Sequence, residues 1–364
     1  MDYNPRYAAQ APAPAQPRAS GLFAFKDAPV PPRPEGIPFP SAYDAFMNPI
    51  TPLAFAIVYF ITAKTLSHFQ NGKNRIQGRG WDLAVIAHNL FLAAYSAWTF
   101  VGTAPQVFGA FWRGFAADGL AGLAHAYCDS QLAVWGSTEF PRLCYIFHLS
   151  KYYEIMDTAI LLLKGKKVGM LQSYHHAGAC LTMYAGYRAQ AMPIWLFCVF
   201  NSFIHTIMYC YYAVTSMKLP FPQFLKRNIT RLQISQFLVG FTCAASYLFI
   251  KLPDLPSLPS FPSSASDAAA LLDSAASGAA AHLNHAADGA AAHWQSAASS
   301  LELGVQTLKR EGAQCLVNAA QRSAVYLNLA YLIPLTYLFV AFFIKSYRRG
   351  GAKPAGKAAK AKAQ

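Results

Sequence analysis

Charged residues are scarce in this 364-residue chain: Asp, Glu, Lys and Arg make up 13% of it, against about a quarter in soluble domains. Hydrophobic residues reach 54%, mean hydropathy is +0.23, and the apolar residues gather in runs of roughly 18–25, long enough to cross a hydrocarbon core of ~30 Å. A soluble globular protein is excluded; the composition is that of a polytopic membrane protein. Acids are scarcer than bases, 16 against 30, for a net charge of +14. That surplus raises nucleic acid as a partner, but no zinc-finger spacing or basic groove interleaved with aromatics accompanies it. The bases sit in short loops beside hydrophobic runs and in the C-terminal tail, which is membrane topology and not nucleic-acid binding. Residues 1–44 are rich in Pro and Ala and have no apolar h-region, so they read as a disordered tail and not a signal peptide. His282, His285 and His293 lack Cys or carboxylate partners at ligand spacing, and no metal site is expected.

Seven spans are expected, at about 49–67, 81–103, 140–163, 168–187, 191–215, 231–251 and 324–344. Bases follow the odd-numbered spans: Lys73, Arg75 and Arg79; Lys164, Lys166 and Lys167; Lys218, Lys226 and Arg227; Lys345, Arg348 and Arg349. The positive-inside rule then places the amino terminus in the lumen and the carboxyl terminus in the cytosol. Asn228-Ile229-Thr230 is a sequon on the cytosolic side and is expected to stay unmodified. The loop at about 104–139 reads as an interfacial segment. Residues 253–312 form an Ala/Ser-rich lumenal insert, and 348–364 a basic cytosolic tail whose Lys360 and Lys362 resemble a dilysine retrieval signal.

The polar residues inside these spans carry the chemistry, since an isolated charge at the bilayer centre costs at least ~2.5–3.5 kcal/mol. At about 100° per residue, Lys151, Glu154, Asp157 and Thr158 share one face of the third span, and Gln172, His175 and His176 one face of the fourth. Asn201, His205, Met208, Tyr209 and Tyr212 share a face of the fifth, and Thr230, Gln233, Gln236 and Phe237 of the sixth. Asp157 lies ~10 Å of helix rise from the basic turn at Lys164, and the other stripes converge on the same cytosolic half. Three imidazoles supply nucleophiles or bases near neutral pH. A pocket opening beside lysines and arginines suits a phosphorylated head group carrying an apolar tail, as in acyl-coenzyme A.

These residues fall into four ordered motifs: Lys151-Tyr-Tyr-Glu154-Ile-Met-Asp157-Thr158, Gln172-Ser-Tyr-His175-His176, Asn201-Ser-Phe-Ile-His205-Thr-Ile-Met208-Tyr209-Cys-Tyr211-Tyr212, and Thr230-Arg-Leu-Gln233-Ile-Ser-Gln236-Phe237. In them the chain closely resembles the very-long-chain fatty acid elongases, the membrane 3-ketoacyl-CoA synthases of the endoplasmic reticulum. Gln172 replaces the first histidine of the family's HxxHH box, a variant similar to that of microalgal elongases selective for Δ9-unsaturated C18 acids. The insert has no counterpart in the family's usual short loop.

The resemblance implies an all-α, seven-helix barrel-like bundle around an acyl tunnel. Its reaction is decarboxylative Claisen condensation of a long-chain acyl-CoA with malonyl-CoA, giving 3-ketoacyl-CoA, CO2 and CoA, with no cofactor. It further implies association with other elongation-cycle enzymes, in a family whose members are often homodimers. By resemblance His175, His176, His205, Asp157, Lys151 and Glu154 would be catalytic. Gln172, Asn201, Tyr209, Tyr212 and Gln233 of the motifs would contact substrate, and the bases Lys164, Lys167 and Arg231 beside them are expected, by their charge, to do so too. His175 would attack the thioester to form an acyl-imidazole, and His205 would contribute to the same site. His176 and Asp157 would orient or deprotonate, and Asn201 or a tyrosine hydroxyl would stabilise developing oxyanions. Among the seven cysteines, Cys144, Cys180, Cys198, Cys210 and Cys243 fall in expected spans. Cys128 and Cys315 remain together in one oxidising compartment and are expected to pair, as the family also suggests. Two rival classes fit the residues less well. A histidine-box membrane desaturase needs about eight histidines, and a seven-span receptor has no need of acids, lysine and histidines clustered on four helices.

Overall fold

The computed structural model describes residues 23–70, 75–252 and 314–348. Lys73, the insert with its three histidines and the dilysine-like end lie outside the described residues. The main elements are α1 (Ile50–Phe69), α2 (Arg79–Tyr127), α3 (Glu139–Tyr153), α4 (Met156–Leu163), α5 (Met170–Arg188), α6 (Ile194–Ser216), α7 (Gln223–Ser246) and α8 (Ala319–Phe343). Among the described residues there is no β-strand, only an isolated bridge between Lys251 and Gln314.

Four helices are long and apolar enough to cross a membrane: Ile50–Phe69, Arg79–Tyr127, Ile194–Ser216 and Ala319–Tyr347. They fall on the first, second, fifth and seventh expected spans. The other three expected spans are helical too, but they hold the polar motifs, and their polarity has a structural reason. The third is not one helix: it breaks at Glu154 and Ile155, where hydrogen bonds shorten to Asp157 N–H on Glu154 O (3.1 Å) and Thr158 N–H on Ile155 O (2.9 Å). This 3-10-like step means that Lys151 and Asp157 do not lie along one continuous helical stripe.

Packing follows a cycle of neighbours. Helix α2 lies along α6, α6 meets α7, α7 packs on α8, α8 on α5, α5 on α3, and α3 on α2, while α1 packs against α5 and touches α4. Large apolar side chains remain exposed, among them Ile57 and Ile61 on α1, Trp98 and Val101 on α2, and Ile333 and Tyr337 on α8. An exposed apolar patch of this extent marks a surface that water does not solvate in the working protein.

Two expectations are corrected. Residues 23–44, assigned to the disordered tail, are packed: Phe25 and Tyr43 are buried. Phe25 N–H donates to Ser323 Oγ (2.9 Å) and its ring meets Tyr184 edge-on, while Tyr43 OH donates to Pro31 O (2.8 Å). Spaced aromatics among prolines supply the anchor that a Pro/Ala composition hides. The loop at 104–139 is also largely helical. Helix α2 continues to Tyr127 and folds back at Asp118–Gly119, where Gly119 has φ +53°. The returning turn brings Gly122 against Gly114, each where a Cβ would strike the other's carbonyl.

At that end of the molecule Cys128 and Cys315 are joined by a disulfide, with Cα atoms 5.0 Å apart and a sequence separation of 187. Cys315 N–H also donates to Ile250 O (3.2 Å). The segment leading into α8 is thereby fastened to the ends of both α2 and α7. Beside the bridge, Asp129 is buried and takes the N–H groups of Val134 and Trp135, one on each oxygen at 2.8 Å. Peptide mapping of unreduced protein should recover the Cys128–Cys315 pair, and Cys128→Ser should lower unfolding stability by up to ~5 kcal/mol in chain-entropy terms. Free alkylation of both thiols in folded, unreduced protein would refute the pairing.

Candidate active site

The helix break, a π-turn and one buried ion pair build the site. Lys151, at the end of α3, is 1% exposed, and its Nζ donates to Glu154 Oε1 (2.6 Å) and Asn201 Oδ1 (3.0 Å). It also lies 3.9 Å from the centroid of the Phe147 ring, a cation–π contact that strengthens where water is excluded. Asn201 closes the π-turn Phe197–Asn201, an irregularity common at functional sites. An ammonium can only donate, so Asn201 must present its oxygen to Lys151 and its amide N–H to His205, whose Nε2 lies 3.0 Å from Nδ2. His205 therefore accepts at Nε2 and, when neutral, carries its proton on Nδ1.

His175 and His176 lie on α5. The His175 ring centroid is 5.2 Å from that of His176 and 6.4 Å from that of His205. Gln172 Nε2 stands 2.9 Å from His176 Nε2 and 3.4 Å from Thr158 Oγ1. His175 Nδ1 is 3.0 Å from Tyr331 OH of α8, which also donates to the His175 carbonyl at 3.0 Å. Among the described residues His175 Nε2 has no hydrogen-bond partner, and His176 Nδ1 is buried without one.

Asp157, expected to orient a histidine of the motifs, instead accepts from Tyr209 OH (2.7 Å) and faces His88 Nε2 (2.9 Å). Its influence reaches His205 through the Tyr209 ring, 5.5 Å away between centroids. Tyr212 packs beside Tyr209 at 6.0 Å, and Gln233 donates to Met208 Sδ (3.3 Å). The expected site residues of α3, α4, α5 and α6 thus meet, with Gln233 of α7 at their edge.

The basic residues divide. Lys164 lines a recess of about 680 Å³ with Arg75, Arg79, Lys166 and Lys218. Burial, helped by Lys166 nearby, holds its ammonium below the usual lysine range. Lys167 is exposed and does not line this recess, and Arg231 lies against the Phe343 ring at 5.9 Å.

Two residues escaped the sequence reading. His88 had a signal, being an ionisable side chain within an apolar run. Tyr331 had none, because one tyrosine in a hydrophobic helix reads as packing.

Residues 45–355 match the profile of the ELO (GNS1/SUR4) family, and the chain belongs to that family. It is 32% identical over 203 residues to fatty acid elongase sre1 of Dictyostelium discoideum, covering 55% of this chain and 70% of that one. It is 29% identical over 187 residues to very long chain fatty acid elongase 6 of Drosophila melanogaster, covering 50% and 54%. Long chain fatty acid elongase 2 of Caenorhabditis elegans is 28% identical over 217 residues, covering 58% and 74%. No solved structure matches.

Removing one partner of a buried ion pair leaves an uncompensated charge, at about 3–5 kcal/mol. Lys151→Met should therefore destabilise by that amount, and Lys151→Met/Glu154→Leu should recover most of the loss. Unfolding in a single detergent measures the cycle; a double variant as unstable as the sum of the singles would show that the pair is not coupled.

Proposed function

We propose that this protein is the condensing enzyme of fatty acid elongation, joining a long-chain acyl-CoA to malonyl-CoA by decarboxylative Claisen condensation. One observation carries the assignment of roles. Each of the three clustered imidazoles keeps one ring nitrogen without a hydrogen-bond partner among the described residues. That of His205 is the protonated Nδ1 and that of His176 is buried, which leaves His175 Nε2 as the unpartnered nitrogen able to present a lone pair. His175 Nε2 is the nucleophile that attacks the thioester carbonyl. His205, with its proton on Nδ1, is a donor to the oxyanion that develops there.

The surrounding structure fits a substrate that is charged at one end and apolar at the other. The basic recess at Lys164 suits the phosphates of CoA. The cycle of six helices supports a barrel around an acyl channel, with seven spans in all. The positive-inside rule supports a cytosolic recess and a lumenal disulfide, and the likeness to the elongases supports a place in the endoplasmic-reticulum membrane. In the His-box position, Gln172 contacts His176 and Thr158, and its likeness to the Δ9-selective variant supports C18 Δ9-unsaturated acids as substrates. CoA thioesters are the reactants, and no cofactor takes part.

Expression in a yeast host fed single fatty acids tests this directly. Linoleate should be extended by two carbons, while saturated and C20 acids stay largely unchanged; the reverse pattern would overturn the substrate class. His175→Ala and His205→Ala should abolish condensation with the protein still in the membrane. Either variant retaining above about a tenth of wild-type turnover would sink its role, since losing such a group typically costs ~10²–10⁴-fold.

A further inference from the structure

We propose that Tyr331 locks a proton on Nδ1 of His175, so that this histidine reacts through Nε2 alone and neither gains nor loses a proton during condensation. The inference rests on the reading of His175 as nucleophile. Its geometry does not. Tyr331 OH stands 3.0 Å from the His175 carbonyl oxygen and 3.0 Å from His175 Nδ1. A carbonyl oxygen has no proton to give, so the single phenolic hydrogen is committed to it. What faces Nδ1 is then an oxygen lone pair, and Nδ1 must be the N–H. The neutral ring is left with its lone pair on Nε2.

The phenol is held in this posture from several sides. Its ring stacks on Tyr174, with centroids 5.5 Å apart and planes at 23°. Tyr174 OH donates to the Tyr331 carbonyl (3.3 Å). Gly178, one helical turn beyond Tyr174 on α5, leaves the space the ring occupies, and a Cβ there would overlap it. Tyr331 is 5% exposed, so water does not compete for the phenol oxygen.

The consequence for the chemistry is specific. His175 Nε2 forms a bond to the thioester carbon, the C–S bond breaks, and CoA leaves as thiolate with the bonding pair. The ring becomes an acyl-imidazolium whose Nδ1–H still donates to Tyr331. Malonyl-CoA loses CO2, and the electron pair of its broken C–C bond becomes the enolate. The enolate carbon attacks the acyl carbon, and the C–N pair returns to Nε2. The negative charge that arrives on the malonyl carboxylate departs on the thiolate. Because Tyr331 can accept but has no free hydrogen-bonding capacity to take the proton away, the intermediate stays cationic. A cationic acyl-imidazolium is a stronger acyl donor than neutral acyl-imidazole. Tyr331 is thus a positioning residue that acts through His175.

The test follows the acyl adduct formed on His175 from acyl-CoA alone, and its discharge by malonyl-CoA, across pH 6–9. Tyr331→Phe should slow both steps by about 10²-fold, with KM for acyl-CoA within about twofold, and discharge should decline as pH rises where the wild type stays level. Replacement of Tyr331 by 3,5-difluorotyrosine keeps the shape and weakens the oxygen as an acceptor. It should slow discharge without lowering thermal stability, which a packing role alone would leave unchanged. It also serves if the phenylalanine variant does not fold. Wild-type rates and pH profile in the fluorinated protein, beside a wild type that forms the adduct, would overturn the role of Tyr331 alone. A turnover-competent wild type with no adduct would overturn the nucleophile assignment, and this inference with it.

Discussion

A lysine that is 1% exposed sets the terms for everything around it. Lys151 cannot be left without partners, because an unpaired ammonium in a low-dielectric interior costs several kcal/mol. Glu154 supplies the opposite charge, the Phe147 ring a cation–π face, and the Asn201 side-chain amide oxygen a further acceptor. The last of these reaches the histidine cluster, since fixing the Asn201 amide fixes which nitrogen of His205 accepts. One charge thereby selects a tautomer on a neighbouring helix. The selection works because an ammonium offers donors only and an amide has two unlike ends.

Backbone irregularities do the aiming. A regular helix from 140 to 163 would carry Glu154 and Asp157 at fixed angular offsets from Lys151. The break at Glu154–Ile155 separates them into two tasks, one carboxylate serving the lysine and the other Tyr209 and His88. The π-turn before Asn201 similarly adjusts where that side chain emerges relative to His205. Such departures from regular winding recur where side chains must be placed more finely than a 3.6-residue repeat allows.

Much of this was legible in the residues. The motifs on α3–α4, α5 and α6 converge because each buried polar group needs partners, and helical spacing is enough to show which residues share a face. The limits were equally physical. Glu154 and Ile155 carry no Gly or Pro to announce a break, and the π-turn falls in an ordinary apolar run, Phe-Cys-Val-Phe. Spacing alone points Asp157 at a motif histidine, because it cannot show that α2 brings His88 alongside it. Tyr331 joins the site from a helix far along the chain, and nothing local marks it. Residues 23–44 were misread because composition averages over a few anchoring aromatics. Lys167 and Arg231 were grouped with Lys164 by charge alone, whereas recess membership depends on which way each backbone turn faces.

The bond between Cys128 and Cys315 also changes what it means for this polypeptide to be intact. Residues 253–313 run between α7 and the segment that leads into α8, and the bridge spans that interval from further back in the chain. A protease cutting anywhere within it would produce two pieces that stay a single covalent molecule. Helix α8, which brings Tyr331 to His175, would remain tethered to the rest. The continuity that the histidine cluster depends on is thus carried by sulfur as well as by peptide bonds, and a nicked molecule would come apart only on reduction.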